Sequence, residues 1–189
     1  SYFYYNDAQA GDGGAIRTNG VGGLTLARCE FYGNSANEGS GGLGRGGAIY
    51  NASGFALAGS NCYFDSNICW NSNLLNATQG GALANFSGNA VIESSSFYSG
   101  EANMGGAVYS SAAITIRNCL FSGNLATDPF DNGGPANVGR GGAVFGEATT
   151  TITLKSSTLA GNWAAKKGAG ASMNGVFHNC ILWYNEVTV

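Results

Sequence analysis

Residues 46–67 read GGAIYNASGFALAGSNCYFDSN, and two short strings within this stretch recur along the chain. The first string is Gly-Gly-Ala followed by an aliphatic residue, and it begins at positions 13, 46, 80, 105 and 141, with a degenerate copy at 168–171. The second string, Phe-x-x-Asn, begins at positions 3, 31, 64 and 121, and altered copies begin at 97, 159 and 182. Internal self-similarity of this kind is typical of repeat architectures.

The residues around each copy of the second string alternate in character with a period of two. The positions seven and five residues before the phenylalanine are mostly apolar, and the position two residues before it holds Cys or Ser. The positions between them are polar or mixed. This period is typical of β-strands with one buried face, and glycine interrupts the chain too often for helices.

These features predict an all-β fold, namely a single parallel β-helix of about six to seven coils over residues 1–189. Successive coils of such a solenoid stack about 4.8 Å apart, so equivalent residues form ladders. Both ends of the chain enter and leave the predicted β-helix partway through a coil. Extra residues fall in 35–45, 68–79 and 125–140, always before a Gly-Gly-Ala string, and we expect these insertions to emerge on one side.

The asparagine of the second string forms a column of its own. An Asn side chain both donates and accepts hydrogen bonds, so stacked copies are expected to bond along the axis of the coil. We therefore interpret this column as a structural ladder, which Gly100 interrupts. Its predicted members are Asn6, Asn34, Asn67, Asn124, Asn162 and Asn185.

The composition of the chain excludes several classes of protein. Charged residues make up 10% of the 189 residues and apolar residues make up 44%, which is the wrong balance for a disordered chain. The formal net charge is −3, which argues against a nucleic-acid partner. The apolar runs fall short of the roughly 18 residues that a membrane-spanning helix needs, so we predict no transmembrane segment.

The alternation of Gly-Gly-Ala-[Ile/Leu/Val] with Phe-x-x-Asn resembles the repeat of the polymorphic outer membrane proteins. The resemblance covers nearly all of the chain, and it is more specific for architecture than for activity. It implies a right-handed β-helix passenger region with an adhesive or structural role, either exposed at the cell surface or secreted.

The residues that carry chemistry in β-helix enzymes are sparse here. Polysaccharide lyases and hydrolases need clustered carboxylates, and only Asp128 and Asp131 lie close together within one insertion. We therefore predict that the chain is not an enzyme and has no catalytic residue, cofactor or metal. No Cys-x-x-Cys motif occurs, and the cysteines fall in columns of small buried residues, with their disulfide state open.

The long insertions supply the candidate contact residues. Two arginines each precede a Gly-Gly-Ala string at the end of an insertion, where they are candidates to bind an anionic partner or are solvated loop charges. Two aromatic residues are candidates to contact a ligand or to cover their own loops. The predicted loop contacts are Arg45, Trp70, Phe130 and Arg140.

Three asparagines match the Asn-x-Ser/Thr acceptor pattern for glycosylation, namely Asn51, Asn76 and Asn85. Asn51 and Asn85 occupy the same position in their repeats, so the predicted fold stacks one above the other.

These observations together predict a non-enzymatic, extracellular or cell-surface structural and adhesive β-helix. The open strand edges of its first and last coils fit either a segment cut from a longer passenger region or a processed subunit that associates end to end. Copies that stack head to tail would form a filament. A host surface or a glycan is the expected ligand class. The main alternative is a carbohydrate-binding or carbohydrate-cleaving β-helix. An ice-binding protein fits less well, because the outward threonine array is irregular.

Overall fold

The computed structural model describes residues 1–20, 22–38, 44–52, 54–71, 77–88, 90–129 and 138–188. The described residues form 26 short strands and no helix. The strands of the first half are β1 (Tyr2–Tyr4), β2 (Asp7–Ala8), β3 (Ile16–Arg17), β4 (Gly22–Ala27), β5 (Glu30–Tyr32), β6 (Ser35–Glu38), β7 (Ile49–Asn51), β8 (Phe55–Ser60), β9 (Tyr63–Asp65), β10 (Ile68–Asn71), β11 (Leu83–Asn85), β12 (Ala90–Glu93) and β13 (Ser96–Tyr98). Those of the second half are β14 (Glu101–Ala102), β15 (Val108–Ser110), β16 (Ile114–Arg117), β17 (Leu120–Ser122), β18 (Leu125–Ala126), β19 (Val144–Gly146), β20 (Thr151–Lys155), β21 (Thr158–Ala160), β22 (Trp163–Ala164), β23 (Ala171–Ser172), β24 (Asn174–His178), β25 (Ile181–Trp183) and β26 (Glu186–Val187).

The strands assemble into four parallel sheets, and each coil contributes one strand to each sheet in turn. Sheet A contains β1, β5, β9, β13, β17, β21 and β25, and sheet B contains β2, β6, β10, β14, β18, β22 and β26. Sheet C contains β3, β7, β11, β15, β19 and β23, and sheet D contains β4, β8, β12, β16, β20 and β24. The predicted parallel β-helix of six to seven coils is therefore confirmed.

The core consists of ladders in which equivalent residues lie directly above one another. The phenylalanines of sheet A stack with ring centroids 4.6–4.8 Å apart and ring planes within 5° of parallel. Register pairs Phe31 with Phe64 and Phe97 with Phe121, as the repeat alignment predicts. Leu159 continues this column and is fully buried. The core therefore follows the sequence columns.

The Gly-Gly-Ala string forms the corner that leads into sheet C. The first glycine of each copy has a positive φ, for example 62° at Gly46 and 69° at Gly80. Glycine adopts this region at no steric cost, whereas other residues rarely do. The second glycine is required by close approach of the coils, because a Cβ at Gly81 would collide with the carbonyl oxygen of Gly106.

The asparagine column is a hydrogen-bonded ladder. The backbone N–H of Asn34 donates to Oδ1 of Asn67 at 3.1 Å, and its side-chain Nδ2 donates to the same oxygen at 2.9 Å. Asn67 in turn donates from Nδ2 to the carbonyl of Phe31 at 2.9 Å. Gly100 supplies only its backbone N–H, which donates to Asn124 at 3.0 Å, so the predicted interruption is confirmed.

The cysteine side chains occupy small interior positions. Cys29, Cys62, Cys69 and Cys119 are buried, Cys180 is half-buried, and none of the five forms a disulfide in the described structure. Ser95 and Ser157 fill the same column on the coils that lack a cysteine, and both are buried. Cys or Ser at this position therefore fits the same space.

Candidate functional site

The three long insertions leave the coil at one corner, between sheets B and C. Each of the three ranges begins with a strand of sheet B, namely β6, β10 or β18. Just before sheet C, a column of single parallel backbone bridges joins Arg45, Gln79, Met104, Arg140 and Lys167. The prediction that the insertions emerge on one side is therefore confirmed for the described residues that flank them.

Beyond this corner, a second apolar cluster lies on the outer face of sheet C. We call it the outer cluster, and its buried members are Tyr50, Ala77, Ala84, Met104, Tyr109, Val138 and Phe145. Ala77 and Val138 come from the described ends of two insertions, so these ends pack against this face of the β-helix. This cluster was not predicted from the sequence. The sequence feature that could have predicted it is the run of consecutive apolar residues after each Gly-Gly string, because strands that are covered on both faces are usually apolar on both.

Arg45 anchors the edge of the outer cluster. Its Nε and Nη2 atoms donate to Oδ1 and Oδ2 of Asp12, each at 2.8 Å. Its guanidinium also lies 4.6 Å from the ring centroid of Tyr50 and 5.3 Å from that of Phe86. Burial acts to lower the pKa of Arg45, but the hydrogen bonds and charge of Asp12 more than offset it, so the pKa is raised. An anionic partner at Arg45 would have to compete with Asp12.

Arg45 and Arg140 lie in one column but do not form a common site. Gln79 and Met104 separate them, so three coil spacings, about 14 Å, lie between the two backbones. Trp70 lies in β10 and exposes 48% of its surface, which leaves its predicted loop contact open as a prediction. Phe130 lies outside the described residues.

The glycosylation candidates Asn51 and Asn85 are buried inside the β-helix. Nδ2 of Asn51 donates to Oδ1 of Asn85 at 2.8 Å, and Nδ2 of Asn85 donates to Oγ of Ser110 at 2.9 Å. A glycan on either residue would require its side chain to leave this ladder, so the folded chain favours a structural role for both. The third candidate, Asn76, lies outside the described residues.

Two further carboxylates, those of Asp128 and Glu147, each contact a partner side chain. Lys166 and Asp128 form an ion pair at 2.7 Å, and the Asp128 side chain is almost fully buried. The hydroxyl of Tyr109 donates to Oε1 of Glu147 at 2.8 Å, and burial together with this bond raises the pKa of Tyr109. Within the part of the chain that the structure describes, no group of three or more His, Cys, Asp or Glu side chains is arranged to hold a metal ion.

The last coil presents the core columns at an open end. Leu182 exposes 51% of its surface, although Leu159 and Phe121 in the same column are fully buried. A cavity of about 420 Å³ adjoins it, with Ala169 and Val187 among the lining residues.

Comparison of the chain with protein-family models, curated proteins and solved structures finds no match. In the described residues there is no helix with the length and apolar character needed to cross a membrane.

Proposed function

We propose that the chain is a non-enzymatic structural and adhesive β-helix of the cell surface or extracellular space, and that copies of it stack end to end. The observation that carries the proposal is that the first and last coils both expose apolar residues of the same core column. The last coil exposes Leu182, and the first coil offers Phe3, a half-buried residue of the same column. The resemblance of the repeats to those of surface adhesins supports the location and the adhesive role.

The asparagine ladder gives such stacking a direction. Wherever two asparagines are adjacent in the ladder, the earlier one donates from its backbone N–H and Nδ2 to Oδ1 of the later one, as Asn124 does to Asn162. The last asparagine, Asn185, accepts from Asn162 at Oδ1, and the first asparagine, Asn6, donates to Asn34 from its backbone N–H and Nδ2. A second copy that places Asn6 on Asn185 therefore repeats an internal step. Such a head-to-tail contact does not close, and repetition of it produces a filament.

The experiment is electron microscopy and light scattering on the purified 189-residue chain over a range of concentrations. We expect elongated particles whose length grows with concentration. Leu182→Lys places a charge on the end face and is expected to leave single chains, because a buried unpaired ammonium is costly. Thr115→Lys, on the outer face of a central coil, is the matched control and should still elongate. A wild-type chain that stays monomeric at every concentration overturns the stacking.

A carbohydrate-binding role is the second candidate. The exposed indole of Trp70 favours it, since an aromatic ring that is not covered by its own protein is available to a ligand. The carbohydrate-cleaving variant stays a hypothesis, since Asp12, Glu93 and Asp128 each pair with an arginine or a lysine.

A further inference from the structure

The outer face of sheet A carries a concentration of tyrosines across its first four coils. In each strand of this sheet the middle residue points inward and its two neighbours point outward, as the burial pattern of β1 and β5 shows. Tyr5 lies at the corner after β1, and its backbone N–H donates to the carbonyl of Tyr32. We call this surface the tyrosine face, and it comprises Tyr2, Tyr4, Tyr5, Glu30, Tyr32, Tyr63, Asp65 and Tyr98.

These side chains are accessible from the flank of the β-helix. Tyr2 exposes 74% of its surface, Tyr5 exposes 70% and Tyr63 exposes 38%. Because they point away from the axis, coils stacked on either end would leave the face open. The tyrosine face is therefore separate from the end surfaces used in the proposed stacking.

Two carboxylates lie among the tyrosines. The hydroxyl of Tyr4 hydrogen-bonds to Glu30, which raises the pKa of Tyr4 to about 12. The hydroxyl of Tyr63 donates to Oδ2 of Asp65 at 3.0 Å. The two outward columns of sheet A contain no Lys or Arg in any of their seven strands. Arg28, at the corner before β5, forms no ion pair with Glu30 in the described structure. The face therefore combines negative charge with electron-rich rings.

The rings of the first two coils are steeply inclined to one another, and those of Tyr63 and Tyr98 meet at 40°. Tyr5 and Tyr32 meet at 88°, Tyr4 and Tyr32 at 73°, and Tyr2 and Tyr4 at 61°. Rings set at such angles do not form the flat row on which successive sugar rings of a glycan would lie. They expose separate ring faces, and a ring face attracts a cation, most strongly a guanidinium or an ammonium.

We propose that the tyrosine face is a docking surface for a basic polypeptide segment of a partner protein. Arginine or lysine side chains lie over the exposed tyrosine rings, and their charges pair with Glu30 and Asp65. Tyrosine and arginine are both enriched at protein interfaces. The face spans three coil spacings, about 14 Å, which corresponds to roughly four residues of an extended segment.

The test measures binding of a hexa-arginine peptide to the full chain by titration calorimetry at low and at physiological salt. Tyr32→Ser/Tyr98→Ser removes two rings, and serine already occupies this register at Ser122. Glu30→Gln/Asp65→Asn removes two charges. The matched controls are Glu101→Gln/Glu186→Gln, which removes the same charge from sheet B, and Trp183→Ala, which removes a ring from the far end of sheet A. Circular dichroism confirms that each variant is folded.

We expect the loss of two tyrosines to weaken binding at least about fivefold, and the loss of two carboxylates at least about threefold. The controls should stay within about twofold of the wild type. Equal weakening by the sheet B control would show that only net charge attracts the peptide, and this result overturns the proposal. Undetectable binding to the wild type does so too, as does tyrosine-dependent binding of chitohexaose without binding of the peptide.

Discussion

Cys119, in the Cys/Ser column two residues before the phenylalanine position, makes the stability of the fold depend on pH. Cys119 is buried there, and its thiol lies 3.2 Å from the carbonyl oxygen of Arg117. Burial raises the pKa of Cys119 to about 11, although backbone hydrogen bonds act in the opposite direction. The thiolate is therefore disfavoured in the folded chain relative to the unfolded chain.

This raised pKa predicts a loss of stability in alkali. A folded-state pKa above the unfolded value stabilises the fold fully below about pH 8.5 and loses that contribution as the pH rises towards 11. Cys119→Ser removes the titration, and Ser157 shows that serine fits this column. We expect urea-unfolding free energies of the wild type to fall by about 1–3 kcal/mol more than those of the variant between pH 8.5 and pH 11. Parallel pH profiles of the two proteins would contradict this assignment.

At the scale of structural elements, the outer cluster packs the described ends of two insertions against sheet C. Asp12 is buried at its edge, and Arg45 both neutralises this carboxylate and covers the ring of Tyr50. Removing Arg45 would leave the buried carboxylate of Asp12 with the more distant and exposed Arg17, whose Nε lies 3.9 Å from Oδ2. A buried charge that loses its close partner costs more than the pair itself contributes. The attachment of the first insertion therefore depends on Arg45.

Arg45→Ala is expected to lower the free energy of unfolding by about 2–4 kcal/mol. Arg117→Ala is the matched control, because Arg117 pairs with Glu93 on an exposed surface, and its loss should lower the free energy of unfolding clearly less than the loss of Arg45. Urea unfolding of both variants measures the difference. If the two substitutions cost the same, Arg45 is not the anchor of the outer cluster.

At this scale, the sequence predicts the features that repeat from coil to coil and does not predict those that occur once. The inward columns, the asparagine ladder and the corner of the insertions follow from periodicity, because stacking places equal positions in equal environments. The pairing of Arg45 with Asp12 occurs once in the β-helix, so it produces no periodic pattern in the sequence. Asn51 and Asn85 fit a surface motif by their spacing, yet they are buried, since a three-residue pattern contains no information about which way a side chain points.

At the scale of the whole molecule, each coil contacts only its neighbours. A solenoid of this kind is stabilised by interfaces between adjacent coils, so a terminal coil lacks one of its two interfaces. In β25 both the inward residue Leu182 and its neighbours are exposed, whereas Phe121 in β17 is fully buried. Opening free energies should therefore decrease from the middle of the β-helix towards this end.

Amide hydrogen exchange measures this gradient and connects it to end-to-end stacking. In dilute chain, we expect the amides of β25 to exchange at least about 100-fold faster than those of β17, because the terminal coil opens without disturbing the rest. A second copy on the end face supplies the missing interface, so exchange in β25 should slow as the concentration rises, while exchange in β17 stays constant. Leu182→Lys should keep the gradient but abolish its dependence on concentration. If exchange in β25 of the wild type is fast and does not change with concentration, the end coil does not stack on other copies of the chain.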